Sequence, residues 1–167
     1  SWIKENSKHK FFLFLHTYEV HHPYTPEERF YSEEVRNYKG KFPKSVEAKL
    51  LRSINQNRKK ASKEDRSFIS SLYDSEVTSV DAALGSFFDF LKQQSIYDKS
   101  LIIITSDHGE EFGEHGSIGW HSHTLYDELL KVPLIIKLPD SQYSGTQIEN
   151  QVRGIDILPT VLEVMGQ

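Results

Sequence analysis

Three short runs of uninterrupted apolar residues, set apart by one long stretch at helical spacing, constrain this chain more than any other feature. Residues 10–16 (KFFLFLH), 99–106 (KSLIIITS) and 132–138 (VPLIIKL) place apolar side chains on successive positions, leaving neither face of a strand for water. That pattern belongs to strands buried on both faces. Between the first two runs, Ile69, Leu72, Tyr73, Val80, Leu84, Phe87, Phe88 and Leu91 recur at three- and four-residue steps. They form one apolar stripe on a helix of about residues 65–94, read as core against the sheet. Residues 45–58 read as a second helix and 59–65 as a loop or helix start. Residues 156–165 read as a closing helix, with Asp156 as N-cap and Gly166 as its stop. Buried strands and amphipathic helices together predict an α/β layered sheet with helices on both faces. Missing alternation and missing hairpin signals exclude an all-β chain.

Composition sets the class. A chain of 167 residues fits one domain and is long enough to bury a core, and 26% charged against 37% apolar residues is a globular balance. The net charge of −4 offers no basic excess for a nucleic-acid backbone or an anionic membrane. No apolar run approaches the roughly 20 residues that span a bilayer. Lys4, Glu5, Lys8 and Lys10 interrupt any signal-peptide core at the amino end. With no cysteine, disulfides, thiolate zinc sites and cysteine nucleophiles are excluded within the chain, and the compartment stays open.

Histidine is the unusual residue: eight are present, seven of them in two short stretches. In open α/β sheets ligands gather at the carboxyl ends of strands. The first run ends in His16 and leads to His21-His22, the second leads to Asp107-His108, so the two clusters are expected to meet at one edge. A carboxylate and an imidazole side by side suit a divalent cation, and Gly109 permits a sharp departure of the chain behind them. The plain alternative is a capping Asp107 beside a surface His108. Asp74, Glu76 and Asp81 read as a solvated helix face, Arg153 and Asp156 as a structural pair, and His9 and His22 as exposed.

The surroundings of Asp107-His108-Gly109 go further. Residues 105–116 (TSDHGEEFGEHG) and 120–133 (WHSHTLYDELLKVP) resemble the carboxy-terminal signature of the sulfatase family, within the alkaline-phosphatase-like superfamily. In the same order as in that family, residues 12–24 (FLFLHTYEVHHPY) resemble its strand and H-x-P-Y motif. Residues 72–85 (LYDSEVTSVDAALG) resemble its long helix, and 155–166 (IDILPTVLEVMG) its D-x-x-P-T helix. The resemblance implies an alkaline-phosphatase-like fold and hydrolysis of a sulfate ester. It implies Asp107 and His108 as metal ligands, His21 and His121 as catalytic histidines, and His123 and His16 as residues lining the substrate pocket. His115 is expected to pack its loop. The implied cofactor is a divalent cation, Ca²⁺ first, with Mn²⁺, Mg²⁺ or Zn²⁺ as alternatives, of which the imidazole ligand favours Mn²⁺ and Zn²⁺.

The family's nucleophile motif, C/S-x-P-x-R with a formylglycine made from its Cys or Ser, has no match in the chain, nor has its aspartate pair. Residues 1–167 are therefore expected to be the carboxy-terminal part of a sulfatase-like catalytic domain, the amino-terminal half being absent. With two ligands where a hard cation takes about six, the chain alone is expected to bind metal weakly and to be inactive. An uncovered sheet edge predicts homodimerisation. Two other readings stay open within the superfamily, a phosphodiester or phosphonate hydrolase and a phosphoglycerol-type transferase. Outside it stand a zinc module on His108, His115, His121 and His123, and a non-catalytic interaction module.

Overall fold

The computed structural model describes residues 1–166. In chain order the helices are α1 (Trp2–Asn6), α2 (Glu33–Asn37), α3 (Ala48–Asn55), α4 (Lys63–Gln93), α5 (Asp127–Leu130) and α6 (Ile157–Val164). The strands are β1 (Ile102–Thr105), β2 (Glu111–Phe112), β3 (Ile118–Trp120) and β4 (Leu134–Lys137). The chain divides into two compact units.

The larger unit, Phe12–Phe87 with Asp107–Val132, holds the main core. Phe68, Ile69 and Leu72 of α4 pack with Tyr24, Val35, Phe42, Val46, Leu51, Ile54 and Ile118. The apolar face of α4 in this unit thus meets α2, α3, β3 and loop residues, not a broad sheet as the periodicity predicts. Its start is fixed locally: Ser62 N–H donates to Asp65 Oδ2 at 2.8 Å, and Asp65 N–H donates to Ser62 Oγ at 3.1 Å. That is a reciprocal capping box. Asp65 is buried, accepts the Tyr38 hydroxyl and stands 3.9 Å from Lys41 Nζ. Burial alone raises its pKa, but the bonds from Tyr38 and Ser62 and the Lys41 charge bring it below the usual carboxylate value.

Elsewhere in this unit, Tyr24 and Val46 exchange backbone hydrogen bonds of 3.0 Å in an isolated bridge. Asn55, at the end of α3, clamps β3 with its side-chain amide. Its Nδ2 donates to the Ile118 carbonyl at 3.2 Å and its Oδ1 accepts the Ile118 N–H at 2.9 Å. β2 and β3 form an antiparallel pair with an irregular register at Glu111/Phe112. Gly119 has φ +57°, and a Cβ there would lie 2.9 Å from a Leu51 methyl, so β3 can approach α3 only with glycine at this position.

The smaller unit, Ser1–Phe11, Phe88–Ser106 and Pro133–Gln167, is built on an antiparallel β1–β4 pair, Ile102 facing Lys137 and Thr105 facing Leu134. Lys137 Nζ donates to the carbonyls of Tyr97, Asp98 and Ser100 at 2.5, 2.7 and 3.1 Å and so closes the turn after α4. α6 begins after a 3₁₀ turn at Gly154–Asp156. Asp156 accepts from the Arg153 backbone N–H at 2.8 Å, so the pair is a turn clasp rather than an ion pair.

Several sequence expectations need correction. Residues 10–16 form no strand, and Phe12, Phe14 and Leu15 are 79%, 76% and 64% exposed. A strand exists only where a neighbour accepts its ladder bonds, and among the described residues nothing pairs with this run. β4 is not buried on both faces either, since Ile135 and Ile136 are exposed. Glu76 is buried, unlike Asp74 and Asp81 on the same helix, and accepts the Thr25 N–H at 2.6 Å. Desolvation raises its pKa, the Thr25 bond opposes that, and Glu19 adds to it.

Candidate active site

The larger unit gathers four histidines from distant parts of the sequence. The His21 ring lies 5.2 Å from His121, His121 stacks on His108 at 4.1 Å, and His22 lies 4.1 Å from His21 and 6.1 Å from His121. His22 is nearly parallel to the Trp120 indole at 5.9 Å. A cavity of about 290 Å³ is lined by His22, Trp120, His121 and Ser122. His108 carries Asp107 with it: the Asp107 Oδ1 to His108 Nε2 distance is 3.8 Å, and Asp107 accepts the His108 N–H at 3.1 Å. His21, His108 and His121 are therefore together, with Asp107 at their margin.

Each of these three imidazoles is fixed by an oxygen that can only accept. His21 Nδ1 is 2.8 Å from the His22 carbonyl and His108 Nδ1 is 2.7 Å from the Gly109 carbonyl. His121 Nδ1 is 3.0 Å from Glu110 Oε1. A carbonyl or carboxylate takes only a donor, so all three carry their proton on Nδ1 and turn the Nε2 lone pair to other partners. The arrangement suits both proton transfer and ligation, which need a ring that cannot rotate.

Glu110 and Tyr24 are the functional neighbours that motif reading missed. The Glu110 side chain is 5% exposed, and its other oxygen accepts the Tyr24 hydroxyl at 3.0 Å. Burial and the Glu110 charge push the Tyr24 phenol far above its ordinary value, so it stays a donor. The sequence signal was present, since Tyr24 closes the H-x-P-Y motif and Glu110 follows Gly109, but nothing in the spacing pairs them. Glu111, fully buried, organises the adjoining loop: it accepts from the N–H groups of His115 and Ser117 at 3.1 and 2.7 Å and from His123 Nε2 at 3.0 Å.

The remaining candidates fall into place around this cluster. His123 is tied to Glu111 and lines a second cavity with Arg52, Asn55, Gln56, Ser117 and Trp120. His16 is exposed and joins the cluster only through Tyr18, which lies 4.9 Å from His16 and 5.6 Å from His21. His115 packs its loop, stacked on Tyr126 at 3.4 Å and 2.5 Å from Glu128. His22, expected to be exposed, is half-buried. Its pKa is lowered by burial first, then by the nearby His21, His121 and Arg52 charges, and its buried Nδ1 has no hydrogen-bond partner among the described residues. Gly109 is required for a different reason from a sharp bend. A Cβ there would lie 2.0 Å from the Glu128 carbonyl oxygen, and its N–H donates to the Leu129 carbonyl at 2.9 Å.

Among the described residues no three His, Asp, Glu or Cys side chains are arranged to enclose a metal ion. Asp107 and His108 nevertheless fit as two members of a larger ligand set. Their Oδ1 and Nε2 atoms are close enough to share one cation, and the other His108 nitrogen is anchored on a carbonyl in the manner of metal-binding histidines.

The sulfatase family profile matches residues 1–167, and the chain belongs to the sulfatase family, whose fold is of the alkaline-phosphatase-like α/β class. Arylsulfatase K of Bos taurus is 31% identical over 137 residues, 82% of this chain and 21% of that protein. The multifunctional alkaline phosphatase superfamily protein PehA of Trinickia caryophylli is 37% identical over 94 residues, 54% of this chain and 17% of that protein. N-acetylglucosamine-6-O-sulfatase of Bacteroides thetaiotaomicron is 31% identical over 94 residues, 56% of this chain and 16% of that protein. The chain thus spans about a fifth of the length of the curated relatives it matches. No helix among the described residues is long and apolar enough to cross a membrane.

Proposed function

We propose that residues 1–167 are the carboxy-terminal part of a sulfatase catalytic domain, a layered α/β sheet flanked by helices, that hydrolyses sulfate esters. One observation carries this reading: His21, His108 and His121 converge with their Nδ1 atoms tied to fixed oxygens, which turns the Nε2 atoms of His21 and His121 to the cluster. Sulfuryl transfer requires that the leaving oxygen gain a proton and that charge growing on the sulfuryl oxygens be met. His21 Nε2 is placed to hold and release the proton. His121, its Nδ1 held by the Glu110 carboxylate, is placed to present Nε2 to the sulfuryl oxygens, where its protonated form would donate to the growing charge. His22 and Trp120, nearly parallel, form one side of the cavity. Ser122 lines it, and His123 and His16 stand at its approaches.

Asp107 and His108 would hold a divalent cation, which supplies charge stabilisation at the ester oxygens. The hard carboxylate favours Ca²⁺ or Mg²⁺, and the imidazole admits Mn²⁺ or Zn²⁺. The nucleophile, formylglycine in this family, would come from outside residues 1–167. The test is turnover of an aryl sulfate by the protein that contains this chain. His21→Ala and His121→Ala are each expected to lower kcat by about 10²–10⁴, the range for one acid–base or oxyanion partner. Unchanged turnover in both variants would end the assignment.

A second reading has its own support. His108 following Asp107 favours phosphate diesters or phosphonates, and the chain is 37% identical over 94 residues to a protein named as a multifunctional member of the alkaline phosphatase superfamily. The same two variants assayed on a sulfate monoester and a phosphate diester separate the two, since kcat/KM ranks the substrates.

A further inference from the structure

Trp120 lines two concavities. One is the histidine-lined cavity; the other, of about 180 Å³, is lined by Arg52, Asn55, Gln56, Ser117, Trp120 and His123. The two share the indole, so a molecule seated against the histidines can extend along Trp120 into the second. In this second cavity Asn55 is spent on Ile118 and His123 on Glu111, so neither can turn to a ligand without unlatching the loop. Arg52 is different. Its guanidinium lies 5.8 Å from the Trp120 ring centroid, and among the described residues no carboxylate stands within ion-pair distance of it. Its charge reaches the cluster, since it contributes to the lowered pKa of His22. In a chain with 24 acidic and 20 basic residues, a cation left open to a concavity beside an oxyanion pocket is a ready anion subsite.

We propose that Arg52 binds a second anionic group of the substrate, so that the preferred ester carries a carboxylate or a further sulfate beside the sulfate that is hydrolysed. This rests on the sulfate-ester reading above. The planar guanidinium meets either anion with paired N–H donors, Gln56 lies alongside to donate from its amide, and the Trp120 face supports the atoms between the two charges.

The experiment is calorimetric and NMR titration of the protein that contains this chain with four disaccharides sharing one skeleton. One is uncharged, one bears a single sulfate ester, one a sulfate ester and a carboxylate, and one two sulfates. Each doubly charged probe is expected to bind about tenfold more tightly than the singly sulfated one, with Arg52 Nε and Trp120 indole resonances shifting. Arg52→Gln should erase that tenfold gain and leave the singly sulfated probe unaffected. Gln56→Glu should erase it as well, by placing a repelling charge in the same cavity while Arg52 remains. The gain appearing with only one of the two anions would identify which anion the subsite takes. No gain from the second charge, or a gain that survives Arg52→Gln, overturns the inference. If the singly sulfated probe binds no better than the uncharged one and leaves His21 and His121 unshifted, the sulfate-ester reading itself fails.

Discussion

His121 owes its orientation to a carboxylate that is nearly out of reach of water. Glu110→Gln replaces an acceptor-only group by one that can also donate, so Nδ1 is no longer obliged to carry the proton. The expected result is a 10–100-fold loss of turnover in the parent protein with an unchanged melting temperature, and a mixed His121 tautomer by ¹⁵N NMR. Two other side chains respond to pH with opposite signs. His22 has a lowered pKa, so the unfolded chain binds more protons below about 6.5. Its contribution to stability is present above that pH and is lost as pH falls. Glu76 has a raised pKa, so the folded chain holds the proton longer, and stability from this group falls as pH rises above 4.5. Glu76→Gln keeps an acceptor for the Thr25 N–H and removes the buried charge. Its denaturation midpoint should equal that of the parent at pH 4 and exceed it at pH 7. A midpoint below the parent at pH 7 would contradict that account. None of these three environments is legible from spacing, because burial of Glu76 and Glu110 depends on segments remote in sequence.

At the scale of elements, the helices were readable and the first apolar run was not. An amphipathic helix satisfies its own backbone hydrogen bonds, so the periodicity of Ile69 to Leu91 was enough to place α4, and α3 falls inside the stretch expected to be helical. The same independence makes its cap testable. Asp65→Ala removes a capping-box acceptor and strands the Tyr38 hydroxyl, which should cost about 2–3 kcal/mol in urea denaturation. Asn55→Ala breaks both bonds to Ile118, and a similar loss is expected together with faster amide exchange in β3. A strand has no such independence. The β-branched run at Ile102–Thr105 became β1 because residues 134–137 lie against it, whereas residues 10–16 have equal apolar character and no ladder partner.

For the whole molecule, the metal and the assembly state are the measurable consequences. Calorimetric titration of the chain with Ca²⁺ is expected to give weak binding, since Asp107 and His108 supply two of the about six ligands such an ion takes. Tight stoichiometric binding would show that ligands other than these complete the set. β1 and β4 pair with each other on one side only, and sedimentation equilibrium tests whether a second copy covers an open edge as a concentration-dependent dimer. The amino-acid sequence by itself determined the family, the long helix, the β-branched strands and the histidines worth watching, because motif order and side-chain periodicity are properties of neighbours along the chain. Tertiary structure alone decided which nitrogen of each histidine is tied to an oxygen, that Glu110 and Tyr24 stand behind His121, and that Arg52 faces an open cavity. Those facts depend on which oxygen or ring arrives from elsewhere in the chain, and a hydrogen bond between distant residues leaves no trace in their spacing.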